Sequence, residues 1–130
     1  MPGTSQSRVL LLGTDVAGVI TGVTTGTSEP VNASPFTSIV LYAASQGTTS
    51  GGTILFEEAD WDPALDAPYS GTWITLGTLT ASAFSGGAQT KVIPVLNSVG
   101  GQRSAWAFVR ARISSNITGG GTITAVLRMA

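Results

Sequence analysis

The feature that most restricts the fold of this chain is a side-chain alternation with a period of two, clearest in the segment AWAFVRARI at residues 105–113. That period belongs to a β-strand with two different faces. One face carries small aliphatic side chains, namely Ala105, Ala107, Val109, Ala111 and Ile113. The other face carries larger side chains, namely Trp106, Phe108, Arg110 and Arg112. The segment is therefore predicted to be a strand that turns its small face into a tight core.

Similar apolar runs recur through residues 36–130, and clusters of turn-forming residues separate them. The runs are FTSIVLYAAS, TILFEEA, TWITLGTLTA, TKVIPVL and TITAVLRMA, and the clusters include QGTTSGG, SAFSGGAQ and SSNITGGG. FTSIVLYAAS is apolar on both faces, which is typical of a central strand, whereas Pro94 marks TKVIPVL as an edge strand or a bulge. No segment has a helical period. The pattern predicts an all-β protein, a single antiparallel β-sandwich of jelly-roll or immunoglobulin-like topology.

The first quarter of the chain differs from this body. We predict that residues 1–35 form an extended N-terminal arm or edge strand, because their glycines and prolines argue against a helix. Residues 36–130 are predicted to form the body of the sandwich. The apolar run RVLLLG, at residues 8–13, has two open interpretations. It is either the first strand of the sandwich or a hydrophobic strap that orders when it docks on a neighbouring protein.

The composition favours a component of an assembly. Charged residues make up 10% of the 130 residues, against about 25% in an ordinary globular domain. A domain with so few charges often covers part of its surface against neighbours. The net charge of -1 gives no electrostatic reason to bind nucleic acid. The early run VLLLGTDVAGVI is interrupted by Thr14 and Asp15, so it is too short for a membrane span. We therefore predict neither nucleic acid nor membrane as a partner.

Charge is unevenly placed along the chain. The acids cluster in one stretch, at Glu57, Glu58, Asp60, Asp62 and Asp66, whereas most basic residues lie in the last third, at Lys91, Arg103, Arg110, Arg112 and Arg128. Two interpretations remain open. The asymmetry pairs oppositely charged faces of neighbouring subunits, or it places a basic strand face near an acidic loop of the same monomer.

The acidic stretch is the one candidate for chemistry, and its pattern favours a solvated loop. The chain contains no histidine and no cysteine, which excludes Ser-His-Asp and Cys-His catalysis and removes the usual zinc ligands. A glycosidase needs two carboxyl groups about 5 to 10 Å apart across a cleft, but Glu57 and Glu58 are predicted to point to opposite faces of a strand. The triplet DWD lacks the glycine turn and bidentate glutamate of a calcium loop. We predict no enzymatic activity, no cofactor and no metal.

The three tryptophans have two interpretations. Trp61, Trp73 and Trp106 are either anchors of the core or of a protein interface, or an exposed platform on which sugar rings stack. The second interpretation makes the chain a carbohydrate-binding module. We keep it as an alternative to the first.

The second half of the chain resembles a known class of proteins. The segments GTILFEEADW, GTWITLGTLT and AFVRARISSNITGGGTITAVLRMA are similar to small β-sandwich accessory proteins of tailed-bacteriophage virions. Those proteins carry a strand of the type TVTFEGS, a loop and W..LGTLT, and they end with YVRVRVSS, a glycine-rich turn and TITVTLRA. The resemblance covers residues 53–130. The loop at residues 60–71 departs from it, since related-looking sequences have a short DG turn there.

The resemblance implies a non-enzymatic virion structural protein. We expect a capsid decoration (cement) protein on the capsid exterior, assembled in the host cytoplasm, with the major capsid protein and its own copies in a homotrimer as partners. The alternatives are a neck or tail component, or a module that binds glycans or the host surface. If RVLLLG is the strap, a chain without residues 1–13 should stay folded and lose capsid binding. The residues predicted to bind the partner are Arg8, Val9, Leu10, Leu11, Leu12, Trp61, Trp106, Arg110 and Arg112.

Overall fold

A computed structural model describes residues 7–33, 38–62, 64, 67–68, 73–84, 90–96 and 107–129 of the chain. Within these residues the backbone is mostly extended, and the one helical element is a 3-10 turn at Ala81–Phe84. The strands are β1 (Ser7–Leu12), β2 (Thr14–Val16), β3 (Val19–Thr21), β4 (Val31–Asn32), β5 (Ser38–Gln46), β6 (Gly51–Asp62), β7 (Ala67–Pro68), β8 (Ile74–Thr80), β9 (Thr90–Leu96), β10 (Ala107–Thr118) and β11 (Thr122–Met129). The prediction of an all-β protein is confirmed.

The strands form two antiparallel sheets and one separate hairpin. The four-stranded sheet has the order β1-β11-β5-β9, and the five-stranded sheet contains β4-β10-β6-β8, with β7 paired to the end of β6. If the eight main strands are counted in chain order, without β2, β3 and β7, the sheets read 1-8-3-6 and 2-7-4-5. This is the strand order of a jelly roll, one of the two predicted topologies. The strand with Pro94, β9, lies at a sheet edge, as predicted.

The core lies between the two sheets and follows the alternation of the strands. From the four-stranded sheet it receives Leu41 and Leu127, and from the other sheet Phe56 and Val109, all completely buried. Phe56 is the largest of the fully buried side chains. Alternate residues of the last hairpin, Ile113, Ile123, Ala125 and Leu127, all belong to this one cluster. Both sheets therefore share a single hydrophobic core.

The N-terminal segment is part of the sandwich. β1 pairs with β11, and a register shift between Leu10 and Leu12 marks a bulge. Because a bulge lets two successive residues face the same side, both Leu11 and Leu12 enter the core. In the structure RVLLLG forms the first strand of the sandwich, which is one of its two interpretations. The expectation that a chain without residues 1–13 stays folded belonged to the strap interpretation, and the place of Leu11 and Leu12 in the core argues for the opposite result.

Residues 22–32 then run along the edges of the two long C-terminal strands. Val23 exchanges two backbone hydrogen bonds with Ile123, and the amides of Ile117 and Ile113 donate to the carbonyl oxygens of Thr24 and Gly26. The same course continues into β4, which pairs with β10. Gly22 permits the close approach, because a Cβ there would lie 2.7 Å from the Ile123 carbonyl oxygen. Residues 22–32 are thus extended, and they cover strand edges that would otherwise be open to aggregation.

The hairpin of β2 and β3 closes with a two-residue turn at Ala17 and Gly18. Both residues have positive φ, 54° and 83° respectively, which is the backbone of a type I′ turn. The amide of Gly18 donates a hydrogen bond to the Asp15 carboxylate. At the base of the hairpin, the Gln46 side chain donates to the Ile20 carbonyl oxygen and accepts from the Gly22 amide. The hairpin is therefore fixed at both ends, with an alanine in a conformation that suits asparagine or glycine.

We expect Ala17→Asn to raise the free energy of unfolding by about 0.5 to 1 kcal/mol, because asparagine tolerates the left-handed backbone and Asn-Gly is the preferred type I′ pair. Urea unfolding followed by tryptophan fluorescence measures the change. Thr25→Asn, at an exposed position without a left-handed backbone, serves as the control and should leave stability unchanged. A lower stability of Ala17→Asn would contradict the turn assignment.

Candidate functional site: an ion-paired outer face

The acidic stretch begins inside β6, and the alternation of this strand separates its first two carboxylates. Ile54 and Phe56 lie in the core, which leaves Leu55 and Glu57 on the outer face of the five-stranded sheet. Glu58 is directly opposite Val109, a core residue of β10. Glu57 and Glu58 therefore point to opposite faces, as predicted, and these two do not form the facing pair that glycoside hydrolysis requires.

Two arginines of β10 share the outer face with Glu57. Arg110 is directly opposite Glu57, and Arg112 is two residues further along β10, opposite Leu55. Their faces follow from the strand alternation, because Val109, Ala111 and Ile113 occupy the core between them. The pairing of β6 with β10 thus brings a carboxylate and two guanidinium groups to neighbouring positions on one surface.

The two guanidinium groups engage both carboxylate oxygens of Glu57. Arg110 Nε lies 2.9 Å from Glu57 Oε1. Arg112 donates from Nε to Oε1 at 3.1 Å and from Nη2 to Oε2 at 2.9 Å. The Glu57 side chain is only 5% exposed, whereas those of Arg110 and Arg112 are 20% and 36% exposed. The carboxylate therefore lies beneath the two arginines. Arg112 binds it in a bidentate geometry, and such charge-assisted hydrogen bonds are strong.

This arrangement keeps Glu57 ionised. Burial by itself raises the pKa of Glu57, but the hydrogen bonds from Arg112 and Arg110 and their positive charges outweigh it, so the pKa lies below its ordinary value of 4.5. The hydrogen bond to Glu57 correspondingly raises the pKa of Arg112. A carboxylate with both oxygens engaged and a lowered pKa is poorly suited to donate or accept a proton in catalysis near neutral pH. We interpret the cluster as a structural ion pair.

Trp73 completes the cluster. The guanidinium carbon of Arg110 lies 3.9 Å from the centroid of its ring, a cation–π contact. Trp73 directly precedes β8, in which Thr75 is opposite Glu57. Arg110 is thus held by Glu57 and by Trp73 together. One face of this indole is covered by a guanidinium, which leaves it less suited to stack on a sugar ring.

Sequence reasoning missed Glu57 and Trp73 as members of this site. Glu57 was predicted to lie on a strand, with its side chain on the face opposite to that of Glu58, but no arginine partner was assigned to it. Trp73 was recognised only as one of three tryptophans. Pairing of TILFEEA with AWAFVRARI would have brought Glu57 to Arg110 and Arg112, and pairing of TILFEEA with TWITLGTLTA would have added Trp73.

The structure divides the predicted partner-binding residues between two sheets. Arg8 and Leu10 face outward from the four-stranded sheet, whereas Leu11 and Leu12 are buried in the core and Val9 packs against it. Arg110 and Arg112 lie together on the five-stranded sheet. The seven of the nine predicted residues whose side chains the structure describes therefore do not form one surface.

The two tryptophans in that prediction are not tested. The backbone of Trp61 lies in β6, opposite Pro68, but its side chain lies outside the described residues. Trp106 lies outside them entirely. In the part of the chain that the structure describes, no three His, Cys, Asp or Glu side chains are grouped so that they could hold a metal ion.

Comparisons with known proteins add no family assignment. No protein-family profile matches the chain, and no curated protein matches it significantly. Among the described residues, no helix is long and apolar enough to cross a membrane.

Proposed function

We propose that this chain is a non-enzymatic capsid decoration protein of a tailed-bacteriophage virion. In this proposal it binds the outside of the major capsid shell as a homotrimer and ties neighbouring capsid subunits together. Binding is passive, since burial of apolar surface contributes roughly 25 cal/mol per Å² and no covalent step is needed. The fold alone does not select this function, because jelly rolls serve many roles.

One observation carries the proposal: the outer face of the four-stranded sheet carries a continuous apolar patch, which Arg8, Arg128 and Thr124 flank. Three of its residues form a row across neighbouring strands: Leu10 of β1 is paired with Val126 of β11, and Val126 is paired with Tyr42 of β5. Val40 and Ala44 extend the same face along β5, and these residues are half-buried, apart from the buried Val126. An antiparallel sheet that faces water usually turns polar side chains outward. An apolar outer face instead supports a sheet that is covered by a partner in an assembly.

The resemblance of residues 53–130 to phage accessory proteins supports the choice of partner. The outer face of the other sheet supports the proposal indirectly. There the charges of Glu57, Arg110 and Arg112 are paired with one another, so they stabilise the fold and need no partner. A chain with few free charges and one apolar face fits a protein that is held between others.

The proposal predicts binding to assembled shells. Shells of the major capsid protein from the same phage should co-sediment with the protein at a saturating stoichiometry and melt at a higher temperature in its presence. Tyr42→Thr, on the apolar face, should weaken binding by about tenfold, as expected for loss of an aromatic contact. Thr78→Ala, at an exposed position of the other sheet, is the control and should bind as the wild type does.

Two results would contradict the proposal. Absence of co-sedimentation of the wild-type protein with shells would remove it. A saturable change in tryptophan fluorescence on titration with saccharides, without shell binding, would instead favour the glycan-binding alternative.

A further inference from the structure

Two arginines lie side by side on the apolar face of the four-stranded sheet. Arg8 of β1 is directly opposite Arg128 of β11, and both side chains are exposed. Side chains directly opposite on antiparallel strands have their Cβ atoms about 5 Å apart, and like charges at that spacing are destabilising. Within the described residues the ion pairs are those of Arg110 and Arg112 with Glu57. The charge of Arg8 and Arg128 is thus uncompensated there.

The other sheet of the same molecule shows how a pair of arginines on an outer face is compensated. There Arg110 and Arg112 converge on the single carboxylate of Glu57, with three hydrogen bonds between 2.9 and 3.1 Å. Arg8 and Arg128 also present two guanidinium groups on one outer face, although from two neighbouring strands and not from one, and no carboxylate of the described residues binds them. The five-stranded sheet has two guanidinium groups and the carboxylate that they share, whereas the four-stranded sheet has the two guanidinium groups.

The surroundings of this arginine pair favour a protein partner. Val40 is directly opposite Arg128 on β5, and the guanidinium carbon of Arg128 lies 6.0 Å from the ring centroid of Tyr42. Leu10 and Val126 form the next pair on the same face of these two strands. A partner that covers this apolar face also removes water from around the guanidinium groups, which strengthens their attraction to a carboxylate.

We propose that Arg8 and Arg128 jointly bind one Asp or Glu carboxylate of the capsid shell, with the neighbouring apolar residues forming the surrounding contact. This inference rests on the proposed function and names the chemistry of its partner surface. The occupant is an acidic side chain set in an apolar surface, because Arg8 and Arg128 are two positive charges beside apolar side chains and pair with no carboxylate of the described residues. The inserted carboxylate supplies what Glu57 supplies on the other sheet.

A charge-reversal experiment separates binding from folding. Arg128→Glu places a carboxylate opposite Arg8, which relieves the like-charge contact, so the variant should melt no lower than the wild type. Its affinity for shells of the major capsid protein should nevertheless fall by roughly 30-fold or more, because the partner's carboxylate meets a like charge. Arg8→Glu combined with Arg128→Glu should show no measurable shell binding. Co-sedimentation gives the Kd, and thermal unfolding gives the stability.

The matched control is the double variant Thr25→Glu and Thr78→Glu. It changes the net charge by the same amount as Arg128→Glu but lies at exposed positions off this face. It should bind shells with the wild-type Kd. An equal loss of affinity in the control would show that net charge alone governs binding, which overturns the inference.

The remaining outcomes are also decisive. Wild-type binding that persists in Arg128→Glu would overturn the arginine site while leaving the decoration function intact. Failure of the wild type itself to bind shells would overturn both. Loss of self-association in the reversal variants, measured by sedimentation equilibrium with shell binding unchanged, would assign the face to a second copy of the chain and reject the shell as its occupant.

Discussion

Removal of residues 1–13 is expected to unfold this protein. The deletion removes β1, an edge strand of the four-stranded sheet, together with the core side chains of Leu11 and Leu12. Loss of one buried leucine typically costs about 2 to 5 kcal/mol, and a whole domain is stable by only about 5 to 15 kcal/mol. The free energy lost with two buried leucines and a row of backbone hydrogen bonds is therefore comparable to the whole stability of the domain. Circular dichroism and thermal unfolding of residues 14–130 measure the result.

Point variants of β1 distinguish a strand from a strap even if the truncated chain cannot be purified. Leu12, which is 4% exposed, faces the core, whereas Leu10 faces outward beside Val126. Leu12→Ala should lower the free energy of unfolding by about 2 to 4 kcal/mol, and Leu10→Ala by much less. A strap that orders only on docking would leave folding unaffected in both variants. Equal, unchanged stabilities, or a folded chain of residues 14–130, would contradict the place of β1 in the core.

The faces of the strands were accessible from sequence because alternation is a local property. In AWAFVRARI the small and large side chains alternate without interruption, so the placement of Val109 and Ala111 in the core and of Arg110 and Arg112 outside followed directly. RVLLLG was ambiguous for the opposite reason. Its consecutive leucines have no period, and the bulge that turns both Leu11 and Leu12 inward is set by pairing with β11.

Which residues form the ion-paired site could not be predicted from the sequence, because this depends on which strands are neighbours in the sheet. Glu57 and Arg110 are separated by 53 residues in sequence, and no local pattern states that β6 pairs with β10. The same limit hid the arginine pair on the other sheet. Arg8 and Arg128 come from opposite ends of the chain and meet only because the jelly roll places its first and last strands side by side.

Glu57→Ala is expected to lower the free energy of unfolding by about 2 to 3 kcal/mol near neutral pH. The substitution leaves Arg110 and Arg112 without their shared carboxylate, and an unpaired, partly buried charge is costly. The loss stays below that of a fully buried pair because both arginines retain some access to water. Urea unfolding measures the change. Glu29→Ala, at an exposed position, is the control and should stay within about 0.5 kcal/mol of the wild type.

The effect of Glu57→Ala should also depend on pH in a defined direction. Because the pKa of Glu57 is lowered below 4.5 by folding, the unfolded chain takes up the proton first as the pH falls. The ion pair therefore contributes its full stability above pH 4.5 and loses it as the pH falls through the lower pKa of the folded state. The stability difference between the wild type and Glu57→Ala should accordingly shrink below that pH. A difference that stays constant from neutral pH to about pH 3 would mean that the carboxylate is not held by Arg110 and Arg112 in solution, since a lowered pKa requires this dependence.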